Sequence, residues 1–165
     1  GVGSWAASIA SYIMIFWKKP PMIITVEPLS ANCIYESIKT GQRVSVNNNK
    51  NTIMAGLDCG TVSKIAWGIL KNYVHYSLAI SDTFTKRAMR LLAHPIKDDN
   101  VIIAGESGAG GMAGLLALHE NKIDMENCFL PSSTTALIIN TEGDTDPHSY
   151  NKIIRTENER LLKNC

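Results

Sequence analysis

Residues 22–26 (Met-Ile-Ile-Thr-Val) form a short, uninterrupted run of apolar and β-branched side chains. Such a run is typical of a strand that is buried on both faces of a parallel sheet. Residues 5–18 predict a helix before this strand, ended by a Lys-Lys-Pro-Pro sequence, because cations suit a helix C-terminus and proline cannot continue a helix. Glu27 and Pro28 should end the strand, and Ser30 can cap a second helix.

The alternation of strands and helices continues towards the C-terminus. The further predicted elements are helices at residues 63–73, at 81–93 with Ser81-Asp82 as its cap, at 109–119 and from 147 onwards, and strands at 75–80, 101–104 and 135–139. Residues 135–139 are the clearest strand in the chain. This alternation, with strands that are apolar on both faces, predicts an α/β fold with a parallel sheet and flanking helices, in a single fragment spanning residues 1–165.

The composition limits the classes of function. With 45% hydrophobic and 19% charged residues, the 165-residue chain can form a packed core, which excludes an intrinsically disordered protein. The formal net charge is +1, so we expect no nucleic-acid partner, since phosphate binding needs clustered Lys and Arg. Residues 5–17 are apolar but too short for a hydrocarbon core about 30 Å thick. We therefore expect no membrane partner. A cytoplasmic location is expected because the four cysteines are too few for a disulfide scaffold.

The four cysteines are too sparse for a disulfide scaffold and lack zinc-site spacing. Cys33 and Cys59 lie near the two ends of a polar, Asn-rich loop at residues 41–53. A redox-sensitive bond between them would stabilise the fold by about 3 kcal/mol, but two free thiols are the favoured interpretation. The four histidines are dispersed, so no metal site is expected.

Three glycine-bearing turns lie where predicted strands end and helices begin, which is where open α/β sheets bind ligands. Residues 1–4 (Gly-Val-Gly-Ser) lead directly into a helix, so that backbone N–H groups, the helix N-terminus and the Ser4 hydroxyl could bind a phosphate. An ordinary glycine turn, or a Gly-Ser end left by cloning, is the alternative. Residues 105–111 could bind a ligand or simply allow close helix–sheet contact.

The third turn, residues 140–147, carries Glu142, Asp144 and Asp146. Paired carboxylates can serve acid–base or metal chemistry. For Asp144 and Asp146 the favoured interpretation is that one or the other caps the helix that starts at Pro147.

Taken in order, five segments resemble the C-terminal half of diaminopropionate ammonia-lyases. They are GVGSWAAS (1–8), IITVEP (23–28), TIMAGLDCG (52–60), GESGAGG (105–111) and LIINTEGDTDP (137–147). These enzymes use pyridoxal phosphate and share a fold with tryptophan synthase β and threonine dehydratase. The first motif is generic for that fold, whereas MAGLxCG, GESGA and TEGDTDP are more specific to the ammonia-lyases.

The resemblance implies pyridoxal 5'-phosphate as cofactor and seven binding residues: Gly1, Val2, Gly3, Ser4, Gly56, Glu106 and Thr141. The first four match the loop that holds the cofactor phosphate, and Gly56 lies where the backbone approaches the pyridoxal ring. Thr141 matches the hydroxyl that faces the pyridine nitrogen, and a hydroxyl does not hold that nitrogen protonated, so the ring is a weaker electron sink. Glu106 is expected in the cofactor cleft.

The resemblance also implies that the catalytic residues lie elsewhere. The family's Schiff-base lysine belongs to a Ser-Phe-Lys-like segment upstream of the glycine loop, and this chain begins at that loop. Lys86, within Thr-Phe-Thr-Lys-Arg, imitates that segment but lies downstream in a predicted helix, so we expect it to be a solvated helix residue. We therefore expect the C-terminal part of an enzyme, inactive on its own.

The implied substrate is a small amino acid, 2,3-diaminopropionate, and the implied reaction is its α,β-elimination to pyruvate and ammonia. The resemblance also implies a homo-oligomer, usually a dimer. One alternative is a fragment of a serine or threonine dehydratase-like enzyme, in which a shorter glycine-rich turn replaces TEGDTDP. Another is a non-catalytic α/β module that self-associates through uncovered sheet edges and apolar surface.

Overall fold

A computed structural model describes residues 2–47, 51–121, 131 and 133–155. It contains two compact units, Gly1–Asp82 and Thr83–Cys165, called here the N-terminal and C-terminal units. The elements are α1 Ser4–Phe16, β1 Ile24–Pro28, α2 Cys33–Thr40, a 3-10 helix Ala55–Leu57, α3 Lys64–Tyr73, β2 Tyr76–Ile80, α4 Asp82–Ala93, α5 Gly110–Asn121 and α6 Pro147–Arg155. Among the described residues, no helix is long and apolar enough to cross a membrane.

The predicted α/β fold with a parallel sheet is confirmed in the N-terminal unit. β1 and β2 run parallel, with Ile24 opposite Tyr76 and Pro28 opposite Ile80. Helices flank the strands along the chain, and α1 packs against α3. Buried residues of α1, α2 and α3, together with Val62, form a core cluster: Ala7, Cys33, Ile34, Val62, Ala66 and Leu70.

β1 lies two residues later than predicted, because Glu27 and Pro28 do not end it. Glu27 is only 2% exposed, and its carboxylate accepts hydrogen bonds from the amides of Ile34 (3.1 Å) and Tyr35 (2.8 Å). These amides belong to the first turn of α2, where a helix has no internal acceptors. A charged residue therefore stays in the strand because it caps the next helix. The prediction that Ser30 caps this helix was wrong, since α2 begins after Asn32.

The predicted ends of the other helices are mostly confirmed. α1 ends two residues before the predicted position: the Trp17 amide donates to the Ile13 carbonyl (3.0 Å), and Trp17 itself is extended. α4 ends at Ala93, ahead of His94 and a proline, as expected. α6 begins at Pro147, and the part of the predicted terminal helix after Arg155 lies outside the described residues.

In the C-terminal unit, the strand predictions at residues 101–104 and 135–139 were wrong. A strand needs a hydrogen-bonded neighbour along its length, and no ladder involves either segment in the described part of the chain. Five of their six large apolar side chains are between 43% and 65% exposed, namely Val101, Ile102, Ile103, Leu137 and Ile139, whereas Ile138 is half-buried. The apolar pattern is present, but the partner that would turn it into a strand is not among the described residues.

Candidate cofactor site

The loop before α1 needs a glycine at position 3. Gly3 is buried and has a φ of 86°, a left-handed conformation that side chains disfavour. A Cβ there would lie 3.0 Å from both Leu70 Cδ1 and Val62 Cγ2. The Ser63 amide donates to the Val2 carbonyl (2.9 Å), so the loop is fixed against the start of α3.

The first turn of α1 presents free backbone donors. Its first internal bond runs from the Ala7 amide to the Gly3 carbonyl (2.8 Å), which leaves the amides of Ser4, Trp5 and Ala6 without an acceptor in the part of the chain that the structure describes. Gly3 has no side chain to cap them, and Ser4 is exposed. Such an N-terminus carries partial positive charge and suits a phosphate. Gly1 lies outside the described residues.

Gly56 lies on the exposed 3-10 helix Ala55–Leu57, and the segment before it is anchored by Asp82. Thr52 Oγ1 donates to Asp82 Oδ1 (2.6 Å), and the Ile53 amide donates to Asp82 Oδ2 (3.0 Å). Thr52 Oγ1 also accepts from the amide of Met54 (3.1 Å), whose side chain is fully buried. The predicted cap of α4 therefore reaches back and fixes the approach to Gly56.

Thr141 is exposed, and the residues on both sides of it are held by their side chains. Glu142 Oε2 accepts from the amides of Ser107 (2.6 Å) and Gly108 (3.1 Å). Asn140 Nδ2 donates to the Ile103 carbonyl (2.9 Å), and Asn140 Oδ1 accepts from the Glu142 amide (3.1 Å). The structure thus brings together the second and third glycine turns of the sequence.

The glycines of the second turn are required by this contact. A Cβ on Gly105 would overlap the Gly143 carbonyl oxygen, and one on Gly108 would overlap the Glu142 carbonyl oxygen and Asn140 Oδ1. The small residues therefore serve close packing, but against the loop at residues 140–143 and not against a sheet as the sequence alternative had it. The amides just before α5, which could have attracted a ligand anion, are occupied by the carboxylate of Glu142.

The remaining acidic residues of interest have partners within the C-terminal unit. Glu106 is half-buried and accepts from Ser149 Oγ (2.6 Å). Asp146 Oδ1 accepts from the amides of His148 and Ser149 (3.0 Å each), which confirms the predicted capping of α6. Lys86 lies half-buried on α4.

A family model described as "Pyridoxal-phosphate dependent enzyme" matches residues 1–130 of the chain. The chain belongs to this family. Diaminopropionate ammonia-lyase of Escherichia coli K12 is 37% identical over 158 residues, which cover 93% of this chain and 40% of that protein. The Salmonella typhimurium LT2 protein of the same name is 38% identical over 161 residues, with the same coverage. This chain therefore spans about two fifths of the length of these relatives.

Solved structures of pyridoxal-phosphate-dependent enzymes share the fold. The Escherichia coli diaminopropionate ammonia-lyase in complex with D-serine superimposes with a TM-score of 0.82 and 36% identity, covering 94% of this chain and 39% of that one. Its complex with an aminoacrylate–PLP azomethine intermediate gives a TM-score of 0.83, at 36% identity and with coverage of 94% and 40%. A threonine deaminase from T.th., at 22% identity, a TM-score of 0.62 and coverage of 74% and 38%, shows the fold alone.

Within this pyridoxal-phosphate-dependent family member, three carboxylates join separate segments in a way that was not predicted from sequence: Glu27, Asp82, which was predicted only as a helix cap, and Glu142. Each holds backbone amides distant in sequence. The sequence signal is an acidic residue at the end of an apolar run, next to a helix start. This signal does not show which amides the three carboxylates bind, because those amides lie 7, 29 and 35 residues away. Spacing within one motif cannot reveal such pairs.

The two described cysteines, Cys33 and Cys59, are free thiols, as favoured from sequence. Cys33 is fully buried. Burial, together with the nearby Glu27 carboxylate, raises the pKa of the Cys33 thiol to about 12. Since the thiolate is the reactive form, Cys33 is an inert core residue in this structure.

Proposed function

We propose that this chain is the C-terminal part of a pyridoxal-phosphate-dependent ammonia-lyase that converts 2,3-diaminopropionate to pyruvate and ammonia by α,β-elimination. The specific motifs MAGLDCG, GESGA and TEGDTDP support it, as does 37% identity to a diaminopropionate ammonia-lyase over 93% of the chain. The observation that carries the proposal is the start of α1, where a buried left-handed Gly3 precedes amides that have no acceptor among the described residues.

Described residues of both units fit pyridoxal 5'-phosphate. The contacts given above for each of them lie within its own unit. The backbone of Val2 and Gly3, with Gly1, and the hydroxyl of Ser4 would bind the phosphate. Gly56 would let the backbone approach the ring, the Thr141 hydroxyl would donate to the ring nitrogen, and Glu106 would line the cleft. When bound, the cofactor supplies an electron sink for removal of the substrate's α-proton.

We assign no catalytic residue to these 165 residues. Lys86 lies within α4 and is not proposed as the Schiff-base lysine. The chain, taken as a single α/β fragment, would be inactive alone. We further propose a small amino-acid substrate, a cytoplasmic location and a homo-oligomeric, dimeric assembly, as the resemblance implies. The dehydratase-like alternative is not favoured, since the threonine deaminase similarity reaches only 22% identity.

The test is binding of pyridoxal phosphate to the chain, followed by absorption and by tryptophan fluorescence, with borohydride reduction and peptide mapping. We expect reversible binding that inorganic phosphate displaces, and no stoichiometric adduct at one lysine. Gly3→Ala should abolish binding. Gly41→Ala is the matched control, because Gly41 also has a left-handed φ (71°) but no atom within 4 Å of the added Cβ.

Two results would contradict the proposal. If the chain binds no pyridoxal phosphate, the loop before α1 does not hold the cofactor. A stoichiometric borohydride-fixed adduct at Lys86 would mean that the chain carries a complete cofactor site of its own.

A further inference from the structure

Glu142 contacts one short segment through both its side chain and its backbone. Its Oε2 accepts from two consecutive amides, those of Ser107 and Gly108, and its carbonyl oxygen accepts from the Gly105 amide (2.9 Å). Hydrogen bonds to an ionised acceptor at the start of a helix are stronger than neutral ones, and α5 begins at Gly110. Glu142 is therefore fixed to the segment that leads into α5.

Asn140 makes a matching attachment on the other side of Thr141. Its amide group bridges the Ile103 carbonyl and the Glu142 amide. Gly105 and Gly108 pack so closely against residues 140–143 that neither could carry a Cβ without displacing backbone or Asn140. The backbone around Thr141 is thus held at both ends, while Thr141 itself stays exposed.

We propose that Glu142 is a positioning residue for Thr141: its carboxylate, bound to the amides of Ser107 and Gly108, fixes the backbone from which the Thr141 hydroxyl is presented to the cofactor. This inference rests on the proposed function, which gives the Thr141 hydroxyl its role. The other carboxylates of the same motif do not share this role. Asp146 caps α6, and Asp144 is exposed.

The first measurement is amide hydrogen exchange on the chain with Glu142→Gln. Glutamine keeps the shape but removes the charge, so the hydrogen-bonded amides of Ser107, Gly108 and Glu142 should exchange about tenfold to a hundredfold faster. Asp144→Asn, the matched control, should leave them unchanged. Unaltered exchange in Glu142→Gln, or an equal increase in Asp144→Asn, would overturn the inference.

The second measurement is the absorption spectrum of bound pyridoxal phosphate and its pH dependence. A contact that only stabilises the fold, without positioning Thr141, would not alter this spectrum. Thr141→Val should change the spectrum and Thr141→Ser should restore it. Glu142→Gln should shift the spectrum in the direction of Thr141→Val while phosphate-competitive binding stays within about twofold, since the α1 loop is untouched.

The outcomes separate the two proposals. If the unaltered chain binds no pyridoxal phosphate, the proposed function fails and the inference falls with it. If the chain binds and Thr141→Val changes the spectrum while Glu142→Gln does not, the function stands and the positioning role of Glu142 is wrong. A spectrum insensitive to Thr141→Val also overturns the positioning role.

Discussion

The two units contain the same sequence pattern and use it differently. In the N-terminal unit, apolar runs 52 residues apart become β1 and β2 and pair in parallel over five residues. In the C-terminal unit, the runs at residues 101–104 and 135–139 stay unpaired among the described residues, and most of their side chains are exposed. An apolar β-branched run therefore predicts the capacity to form a strand, and only a partner of matching register realises it.

A second contrast concerns how carboxylates join distant segments. Glu27, in a strand, is buried and binds the amides of Ile34 and Tyr35 in the first turn of α2. Glu142, in a loop, is half-buried and binds two amides just before α5. The N-terminal unit combines such a carboxylate with a sheet. In the C-terminal unit the carboxylate and close glycine packing join segments between which the described residues form no strand ladder. Perturbing these contacts tests that difference.

The largest effect is expected from Gly108→Ala in the C-terminal unit. The new Cβ would overlap the Glu142 carbonyl oxygen, and because backbone cannot yield as a flexible side chain can, the free energy of unfolding should fall by about 3 kcal/mol. Gly143→Ala is the control, since a Cβ there meets nothing within 4 Å. Urea unfolding measures both, and equal stabilities would contradict the packing described here.

Amide exchange sharpens the same comparison. In Gly108→Ala, protection in β2 should persist, because the β1–β2 pairing lies within the N-terminal unit. Loss of protection in β2 to the same extent as in α5 would show that the units unfold as one.

Most of the fold could be predicted from sequence because it depends on local signals. Helix periodicity, the proline after His94 and the capping Asp146 predict both ends of α4 and the start of α6 to within a residue or two. The close contact of residues 105–111 with 138–143 could not be predicted, because it depends on which segments meet in space. The same holds for Glu27, which the sequence indicates as a strand end and the structure places inside the strand.

For the candidate site, the motifs predicted the residues but not their supports. The left-handed conformation of Gly3 could be expected from a glycine directly before a helix, while its cofactor role stays a prediction. Asp82 could not, because its partners Thr52 and Ile53 lie about 30 residues earlier, across α3 and β2.

The next largest effect is expected from Glu27→Gln in the N-terminal unit. A glutamine offers one acceptor instead of two, so its NH₂ group would face the amide of Ile34 or Tyr35, at a cost of about 2 kcal/mol in the free energy of unfolding. Glu36→Gln is the matched control on α2, because Glu36 is half-buried and accepts one 3.4 Å bond from Asn32. A control that loses as much stability as Glu27→Gln would contradict the capping role.

Glu27 also predicts the direction of a pH dependence. Burial raises its pKa above the ordinary 4.5, although the amides of Tyr35 and Ile34 act in the opposite direction. A group with a raised folded-state pKa contributes stability that is present below its unfolded pKa and is lost as pH rises through its folded pKa. The stability difference between the unaltered chain and Glu27→Gln should therefore be largest near pH 4 and shrink towards neutral pH. A difference that grows with pH would contradict this.

The smallest effect is expected from the ion pair on the surface of the C-terminal unit. Arg87 Nη1 donates to Glu120 Oε2 (2.7 Å), joining α4 to α5, and the hydrogen bond from Arg87 lowers the pKa of Glu120. Both side chains are about 40% exposed, so solvent screens the pair. Any stability it gives is present above the unfolded pKa and lost as pH falls through the lowered one.

Glu120→Gln should therefore change the unfolding midpoint slightly at low salt and not at all at high salt. Glu36→Gln, on the other unit, has no cation within the described contacts and serves as the salt-independent control. A large, salt-independent loss in Glu120→Gln would mean that the C-terminal unit depends on this pair as the N-terminal unit depends on its sheet. A small loss would leave the Glu142 contacts and the glycine packing as the interactions that replace a strand ladder there.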